Sequence, residues 1–247
     1  MFSDIITIVG KELKEILNAR GNRKGGLIGL LVILGMFGIY MPLMSGPNWI
    51  ETPISLFYWL WLPFLMVSST IADAIAGERE RHTLETLLAS RVSDSAILLG
   101  KIAGTLIYGW GLTMAIMFIS IAIVNIVFGI PNSTFYIYTP IVLATSIIFS
   151  FLIALLSAGI GIIVSLRAET VRQAQQTVSM GFMVIFFSFL LIAQFLPVKL
   201  SLLLVEWVQS ANWGKLGFLA FVILTIIDTT LLKIARARFQ RSKLILD

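Results

Sequence analysis

Long apolar blocks of about 20 residues, separated by polar connections, dominate this chain. A helix of that length crosses the roughly 30 Å hydrocarbon core of a bilayer. Only 13% of the residues are charged and 58% are apolar, against about 25% and about 45–50% in soluble domains. So few charges cannot cover the surface of a soluble protein of 247 residues. The sequence therefore predicts an all-α integral membrane protein.

Six transmembrane helices can be placed on these blocks, at residues 25–44, 54–71, 102–127, 139–166, 178–196 and 216–232. Sixteen of the 18 Lys and Arg residues fall before residue 25, in the connections 73–101 and 167–177, or after residue 232. Basic residues favour the cytoplasmic side of a membrane. We therefore expect a multi-pass protein of the plasma membrane with both termini in the cytoplasm, which an even number of spans allows.

Residues 1–24 form a unit of their own, ahead of the six-span domain at residues 25–247. Apolar residues recur there at intervals of three and four, as on one face of a helix, at Phe2, Ile5, Ile6, Val9, Leu13 and Ile16. The opposite face carries Lys11, Glu12, Lys14 and Glu15. Such a helix lies in the interface of the membrane, in contact with lipid, rather than crossing it.

On the outer side of the membrane, opposite the N-terminal helix, the sequence predicts a loop at residues 197–215 with a short helix inside it. Aromatic residues near the predicted outer ends resemble the belt found where membrane proteins meet water: Trp49, Tyr136, Tyr138, Trp207 and Trp213. Small residues are predicted to allow close helix packing, at Gly100 and Gly104 at the entry of the third span and at Ser157, Gly159 and Gly161 in the fourth.

Asp228 is the one acidic residue well inside a predicted span. An acid in that position is a candidate proton or cation site. It also lies close enough to the cytoplasmic end of its helix to pair with Lys233 or Arg236, or to reach water near the interface. Both interpretations remain open from the sequence.

Signatures of catalysis and of cofactor binding are missing from the sequence. Lys101 and Lys215 each follow a glycine but lack the remaining residues of a phosphate-binding loop. The single histidine and the absence of cysteine exclude the usual zinc sites. We therefore expect no catalytic residue, no metal and no cofactor in this chain. The net charge is +5, and the basic residues behind it flank the membrane spans. This position favours anionic lipid over nucleic acid as their partner.

The connection 73–101 is the most polar part of the chain, with nine charged residues between Ala72 and Lys101. Residues 78–81 are predicted to continue the second span as a polar helix in water. Thr83 can then cap a short helix whose leucines share one face, and Ser93 with Asp94 can cap the third span. A short amphipathic helix of this kind either docks a soluble partner or merely links two spans.

The residues Glu78-Arg-Glu-Arg-His-Thr-Leu-Glu-Thr-Leu-Leu88 resemble the E-x-E-x-G-T-L-E-x-L-L signature of the type-two ABC exporter permeases. The matching positions are Glu78, Glu80, Thr83, Leu84, Glu85, Leu87 and Leu88. The chain departs from the signature at His82, where glycine is usual, and at Arg91, where proline often follows the leucines. The six-span layout and the amphipathic N-terminal helix agree with that family.

The resemblance implies a permease subunit that carries a cytosolic coupling helix between its second and third spans. Two cytosolic ABC ATP-binding subunits, which hold ATP and Mg²⁺, would dock on Glu78, Glu80, Arg81, His82, Thr83, Leu84, Glu85, Leu87 and Leu88. A second permease, identical or homologous, would complete a path for hydrophobic or amphipathic cargo. Hydroxyl groups expected along that path belong to Thr70, Thr113, Ser146 and Ser150. An ion-coupled carrier or channel that uses Asp228, and a membrane scaffold that transports nothing, are the alternatives.

Overall fold

The computed structural model describes residues 2–22, 24–52, 54–83, 91–197, 200 and 210–239. Regular structure in this part of the chain is helical, including π-helical stretches at Leu34–Tyr40 and Asn125–Gly129. The α-helices are α1 (Phe2–Asn22), α2 (Lys24–Ile33), α3 (Met41–Ser45), α4 (Asn48–Glu51), α5 (Ile54–Glu80), α6 (Asp94–Val124), α7 (Ile130–Asn132), α8 (Pro140–Ser165), α9 (Val171–Gln194) and α10 (Trp213–Arg238).

Five helical stretches are long and apolar enough to cross a membrane: Gly26–Ser45, Ser55–Glu80, Asp94–Asn132, Pro140–Ser165 and Trp213–Arg238. Large apolar side chains point outward from them, and Leu31, Phe118 and Phe218 are more than half exposed. An apolar surface on helices that satisfy their own backbone hydrogen bonds suits a hydrocarbon environment. The prediction of an all-helical, multi-pass membrane protein is confirmed.

The count of six spans stays a prediction. Helix α9 lies where the fifth span is predicted, at residues 178–196, but it is not one of the five stretches. The first turns of α9, residues 171–177, are largely polar. The helical extension of the second span is confirmed because α5 continues to Glu80. The predicted cap of the third span is also confirmed, since Ser93 Oγ accepts a hydrogen bond from the Ala96 amide at 3.3 Å.

Helix α5 lies at the centre of the bundle and packs against α6, α8 and α9. Small residues on α8 allow these close contacts, as the sequence predicts. A Cβ atom on Gly161 would collide with the side chain of Ile71 on α5, and one on Gly159 would lie 2.9 Å from Leu231 Cβ on α10. Ser157 on the same helix donates a hydrogen bond to a backbone carbonyl of α5. The fourth span therefore joins α5 to α10.

The two ends of the bundle differ in chemistry. We call the end that carries α1, residues 79–83, residues 166–170 and the last turns of α10 the charged end. The opposite end, which we call the aromatic end, is built around Trp49, Trp59 and Tyr138, all at most 2% exposed.

The predicted aromatic belt is wrong for Trp49 and Tyr138, because both side chains lie inside the bundle. The indole nitrogen of Trp59 donates a hydrogen bond to the Tyr138 hydroxyl at 3.1 Å, which satisfies a polar group away from water. Trp213 is 62% exposed, in keeping with a belt. Trp207 and most of the predicted outer loop at 197–215 lie outside the described residues.

Candidate functional site

Helix α5 ends at the charged end in a Schellman motif. The amide of Thr83 donates to the Glu78 carbonyl at 2.9 Å, and the amide of His82 donates to the Arg79 carbonyl at 3.0 Å. This pair of bonds closes a helix when the residue after its cap adopts a left-handed conformation. His82 has that conformation, with a φ of 56°.

The left-handed backbone at His82 gives a physical reason for the glycine in the signature. Glycine adopts positive φ without steric cost, whereas most other residues do so rarely. Histidine is one of the side chains enriched in this conformation. The departure at His82 therefore leaves the shape of the turn in place.

The Arg79 side chain joins the end of α5 to the end of α8. Its Nη1 and Nη2 atoms donate to the carbonyls of Ala168 and Leu166, each at 3.1 Å. Carbonyls at the end of a helix have no partner within that helix. The Arg79 guanidinium therefore closes the end of α8 and fixes its position relative to α5.

The next two charged residues join the end of α5 to α9 and to α5 itself. Glu80 Oε2 accepts a hydrogen bond from the Val171 amide at 3.1 Å, and a carboxylate is favourable at the first turn of a helix. Arg81 forms an ion pair with Asp73 at 2.8 Å, with both side chains partly exposed. Residues 79–81 thus bond to three parts of the chain: the end of α8, the start of α9 and α5 itself.

Glu78 lies in a buried ionic cluster around Lys101. The Lys101 side chain is fully buried, and its Nζ lies 2.7 Å from Glu12 Oε1, 2.9 Å from Glu78 Oε1 and 2.7 Å from the Ala74 carbonyl oxygen. An ammonium group has three protons to donate, so these acceptors satisfy it completely. Lys11 Nζ donates to the same Glu78 oxygen at 2.8 Å. We call Lys101 with its three acceptors the Lys101 clamp.

The charges of the cluster largely compensate one another. Oxygen atoms of Glu12, Glu15 and Glu78 lie within 4.8 Å of one another, a spacing that could hold a cation. The ammonium groups of Lys11 and Lys101 supply that positive charge, because each bonds to two of these carboxylates.

Burial affects the titration of the two α1 residues in this cluster. Burial raises the pKa of the Glu12 carboxyl, and the Lys101 ammonium beside it opposes that rise. Partial burial lowers the pKa of Lys11, but the hydrogen bond to Glu78 and the neighbouring carboxylates outweigh it, so the net pKa is raised. Lys11 is therefore charged at neutral pH.

Helix α1 reaches Lys101 because two glycines open a groove on α6. A Cβ atom on Gly100 would lie 2.6 Å from Ile8 Cγ2, and one on Gly104 would lie 2.8 Å from Glu12 Cβ. Close packing at this pair of glycines is confirmed. The sequence did not indicate that the partner is α1 rather than another span.

The faces of α1 differ from the prediction. Ile8, Glu12 and Ile16, spaced four residues apart, form the face buried against the bundle, although Glu12 is predicted on the water-facing side. Phe2 and Ile6 are exposed at 77% and 56%, as expected for a surface that meets lipid. The helix therefore has one face on α6 and a separate apolar stripe that faces outward.

The family to which the chain belongs follows from its sequence. Residues 52–213 match the family described as ABC-2 family transporter protein, which is more than half of the 247 residues. The chain belongs to the ABC-2 transporter family. The resemblance to the permeases is thereby confirmed. Permease domains of this family are transmembrane, non-catalytic subunits, which fits the expectation that this chain is not itself an enzyme. A search among curated proteins found no match to the chain.

The predicted docking residues of this ABC-2 chain fall into two groups. The first group lies at the end of α5, where Glu80, Arg81, His82 and Thr83 are exposed. Glu78 differs from the prediction: it is 3% exposed, and its carboxylate bonds to lysines of the same chain. The second group lies outside the described residues, and comprises Leu84, Glu85, Leu87 and Leu88.

Asp228 is buried in the ABC-2 chain without a partner among the described residues. Its side chain is 2% exposed, and neither carboxylate oxygen has a hydrogen bond there. The predicted pairing with Lys233 or Arg236 is therefore not found in that part of the chain. An unpaired acid inside an apolar bundle is costly, which keeps the interpretation as a proton or cation site.

The hydroxyl groups expected along a transport path lie inside the single chain instead. Thr70, Thr113, Ser146 and Ser150 are at most 3% exposed. Each donates a hydrogen bond to a carbonyl of its own helix. In helices surrounded by lipid, such bonds satisfy the hydroxyl without a ligand.

Proposed function

We propose that this chain is the permease subunit of an ATP-driven ABC transporter and that cytosolic ATP-binding subunits dock on residues 78–88, which we call the docking segment. Support comes from how the end of α5 is held. Arg79 is bonded to the end of α8, Glu80 to the start of α9 and Glu78 to α6 and α1. A force on the docking segment would therefore reach all of these helices together.

The complete transporter would contain two permease chains and two ATP-binding subunits. The second permease would be a second copy or a homologue, and ATP with Mg²⁺ would be held by the partner subunits. The exposed apolar surface of the spans offers area for a second permease as well as for lipid. The basic charged end would face the cytoplasm, with both termini on that side of the plasma membrane.

The cargo would be hydrophobic or amphipathic, and the direction of transport would be export, as in the exporter permeases that the docking segment resembles. Large apolar side chains dominate the exposed surface of the spans. A path between two such surfaces would favour an apolar molecule by the same burial of area that drives other hydrophobic contacts.

The decisive experiment changes the docking segment and measures the partner. Glu85→Arg and Leu87→Asp would each abolish copurification of an ATP-binding subunit and stimulation of its ATPase activity, while the permease still inserts into the membrane. The matched control is Glu51→Arg, the same charge reversal at an exposed site of the aromatic end. Unchanged copurification and ATPase stimulation in both docking variants would overturn the proposal.

Asp228, which is buried and has no partner among the described residues, supports a second candidate function, an ion-coupled carrier or channel. In that case Asp228→Asn would abolish an ion-dependent flux in vesicles that contain this chain alone. Under the permease proposal, flux would instead require ATP and would be lost with Leu87→Asp.

A further inference from the structure

We infer that α1 is part of the device that couples the docking segment to the membrane spans, with Lys101 as the positioning residue that joins them. This inference rests on the proposed docking function. Helix α1 lies outside the ABC-2 family match, since that match begins at residue 52 and α1 ends at Asn22.

The first support is the composition of the Lys101 clamp. Its members come from three separate elements: Glu12 from α1, Glu78 and Ala74 from α5, and Lys101 from α6. A buried ammonium is satisfied only when its acceptors are all in place. The clamp therefore holds in a single arrangement of the three helices, whereas an apolar contact would tolerate sliding.

The second support is the groove that receives α1. The side chains of Ile8 and Glu12 rest on the glycines of α6, where no larger residue would fit without displacement. Glu12 thus contributes both to the packing and to the ionic bond. Charge and shape fix the same position of α1.

The third support is that α1 has an outward apolar stripe. Phe2, Ile6 and Leu17 are each more than half exposed, and such a stripe seats a helix in the lipid interface. The docking segment begins at Glu78, which the clamp ties to α1. When a bound ATP-binding subunit moves that segment, α1 must move through the interface with it, or the clamp must open.

The experiment uses the fact that the chain has no cysteine, so introduced cysteines are the only labelling sites. Spin labels are attached at Lys14→Cys, on the exposed face of α1, and at Arg172→Cys, on the first turn of α9 that Glu80 holds. The distance distribution between them is measured by pulsed electron paramagnetic resonance on the full chain in lipid nanodiscs. We expect one narrow distribution.

Three variants test the clamp in this labelled background. Lys101→Met removes the ammonium, Glu12→Gln removes one acceptor charge at nearly constant shape, and Gly104→Val obstructs the groove without changing a charge. Each should broaden the distribution or add a second distance, whereas the control Lys215→Met, at an exposed site of the aromatic end, should not. Should Lys101→Met fail to fold, the other two variants decide. A distribution that stays narrow in both of these overturns the inference.

The same variants are then combined with the ATP-binding subunit. We expect it to copurify in unchanged amount while stimulation of its ATPase activity is lost, because docking remains and transmission fails. A merely structural loss would reduce both together. Full stimulation in variants with a broadened distribution would overturn the coupling role. The spin-label result needs no partner, so it stands or fails separately from the proposed function.

Discussion

The charged end and the aromatic end of the bundle are both well packed, but by different interactions. At the charged end, the buried Lys101 bonds to two carboxylates and a carbonyl from other helices. At the aromatic end, Trp49 stacks on Tyr58 with ring centroids 5.3 Å apart and meets Trp59 edge-on at 5.9 Å. Aromatic contacts allow several geometries at similar energy, whereas a buried ion pair allows few.

This difference indicates at which end of the bundle the helices must keep one fixed arrangement. The aromatic end stabilises the bundle through buried area, and a small shift there costs little. The charged end sets the relative position of α1, α5 and α6, where the proposed docking segment begins. Buried ionic groups have been retained for such positional specificity in some proteins, although apolar residues of equal volume can be more stabilising.

The largest effect is expected when the charged end loses its central cation. Lys101→Met leaves the buried Glu12 without its ammonium partner and leaves Glu78 with Lys11 alone, and breaking a buried ion pair costs about 3–5 kcal/mol. Denaturant unfolding in detergent measures this change in the free energy of unfolding. The exposed control Lys215→Met should change it by less than about 0.5 kcal/mol. Equal effects of the two substitutions would contradict the comparison.

A smaller effect is expected at the aromatic end. Tyr138→Phe removes the hydroxyl that accepts from the buried Trp59 indole, and an unsatisfied buried donor costs about 1–3 kcal/mol. The same unfolding measurement applies, with the exposed Tyr40→Phe as the control. A loss as large as that of Lys101→Met would show that the aromatic end, too, depends on a specific polar contact.

Relief of backbone strain at the charged end should give a modest gain. His82→Gly places in the left-handed position the residue that adopts it without steric cost, which we expect to stabilise the turn by up to about 1 kcal/mol. The thermal midpoint of the purified chain measures this gain, with Thr83→Gly as the matched control beside the turn. A lower midpoint for His82→Gly would indicate that the imidazole itself makes a stabilising contact.

The helices and their caps could be predicted because they depend on local pattern. Apolar length places the spans, and Ser93 precedes the third span where a capping residue is expected. The close approach at Gly100 and Gly104 was also visible in their spacing. Each of these features involves residues within a few turns of one another.

The partners of Lys101 could not be predicted, because they are distant in sequence and no local rule selects among the carboxylates. A signal for their burial was nevertheless present. Glu12 lies four residues from both Ile8 and Ile16, and Glu78 lies three residues after Ile75. A charge that shares the helical face of buried apolar residues is placed for burial. The polar residues beside each glutamate indicated a water-facing position instead, and the prediction followed them.

The smallest effect is expected for the exposed ion pair at the charged end. This pair tests whether burial, rather than the distance between the charges, sets the cost of losing an ion pair. Arg81 Nη2 lies 2.8 Å from Asp73 Oδ1, nearly the same as the 2.7 Å between Lys101 Nζ and Glu12 Oε1. Exposed pairs contribute at most about 1 kcal/mol, since water screens them. Arg81→Ala should therefore cost less than about 1 kcal/mol in denaturant unfolding, and the cost should vanish near 1 M salt, where charges are screened within about 3 Å. The loss in Lys101→Met should persist at that salt concentration. If both losses respond equally to salt, solvent reaches Lys101, and the single arrangement argued for the charged end does not hold.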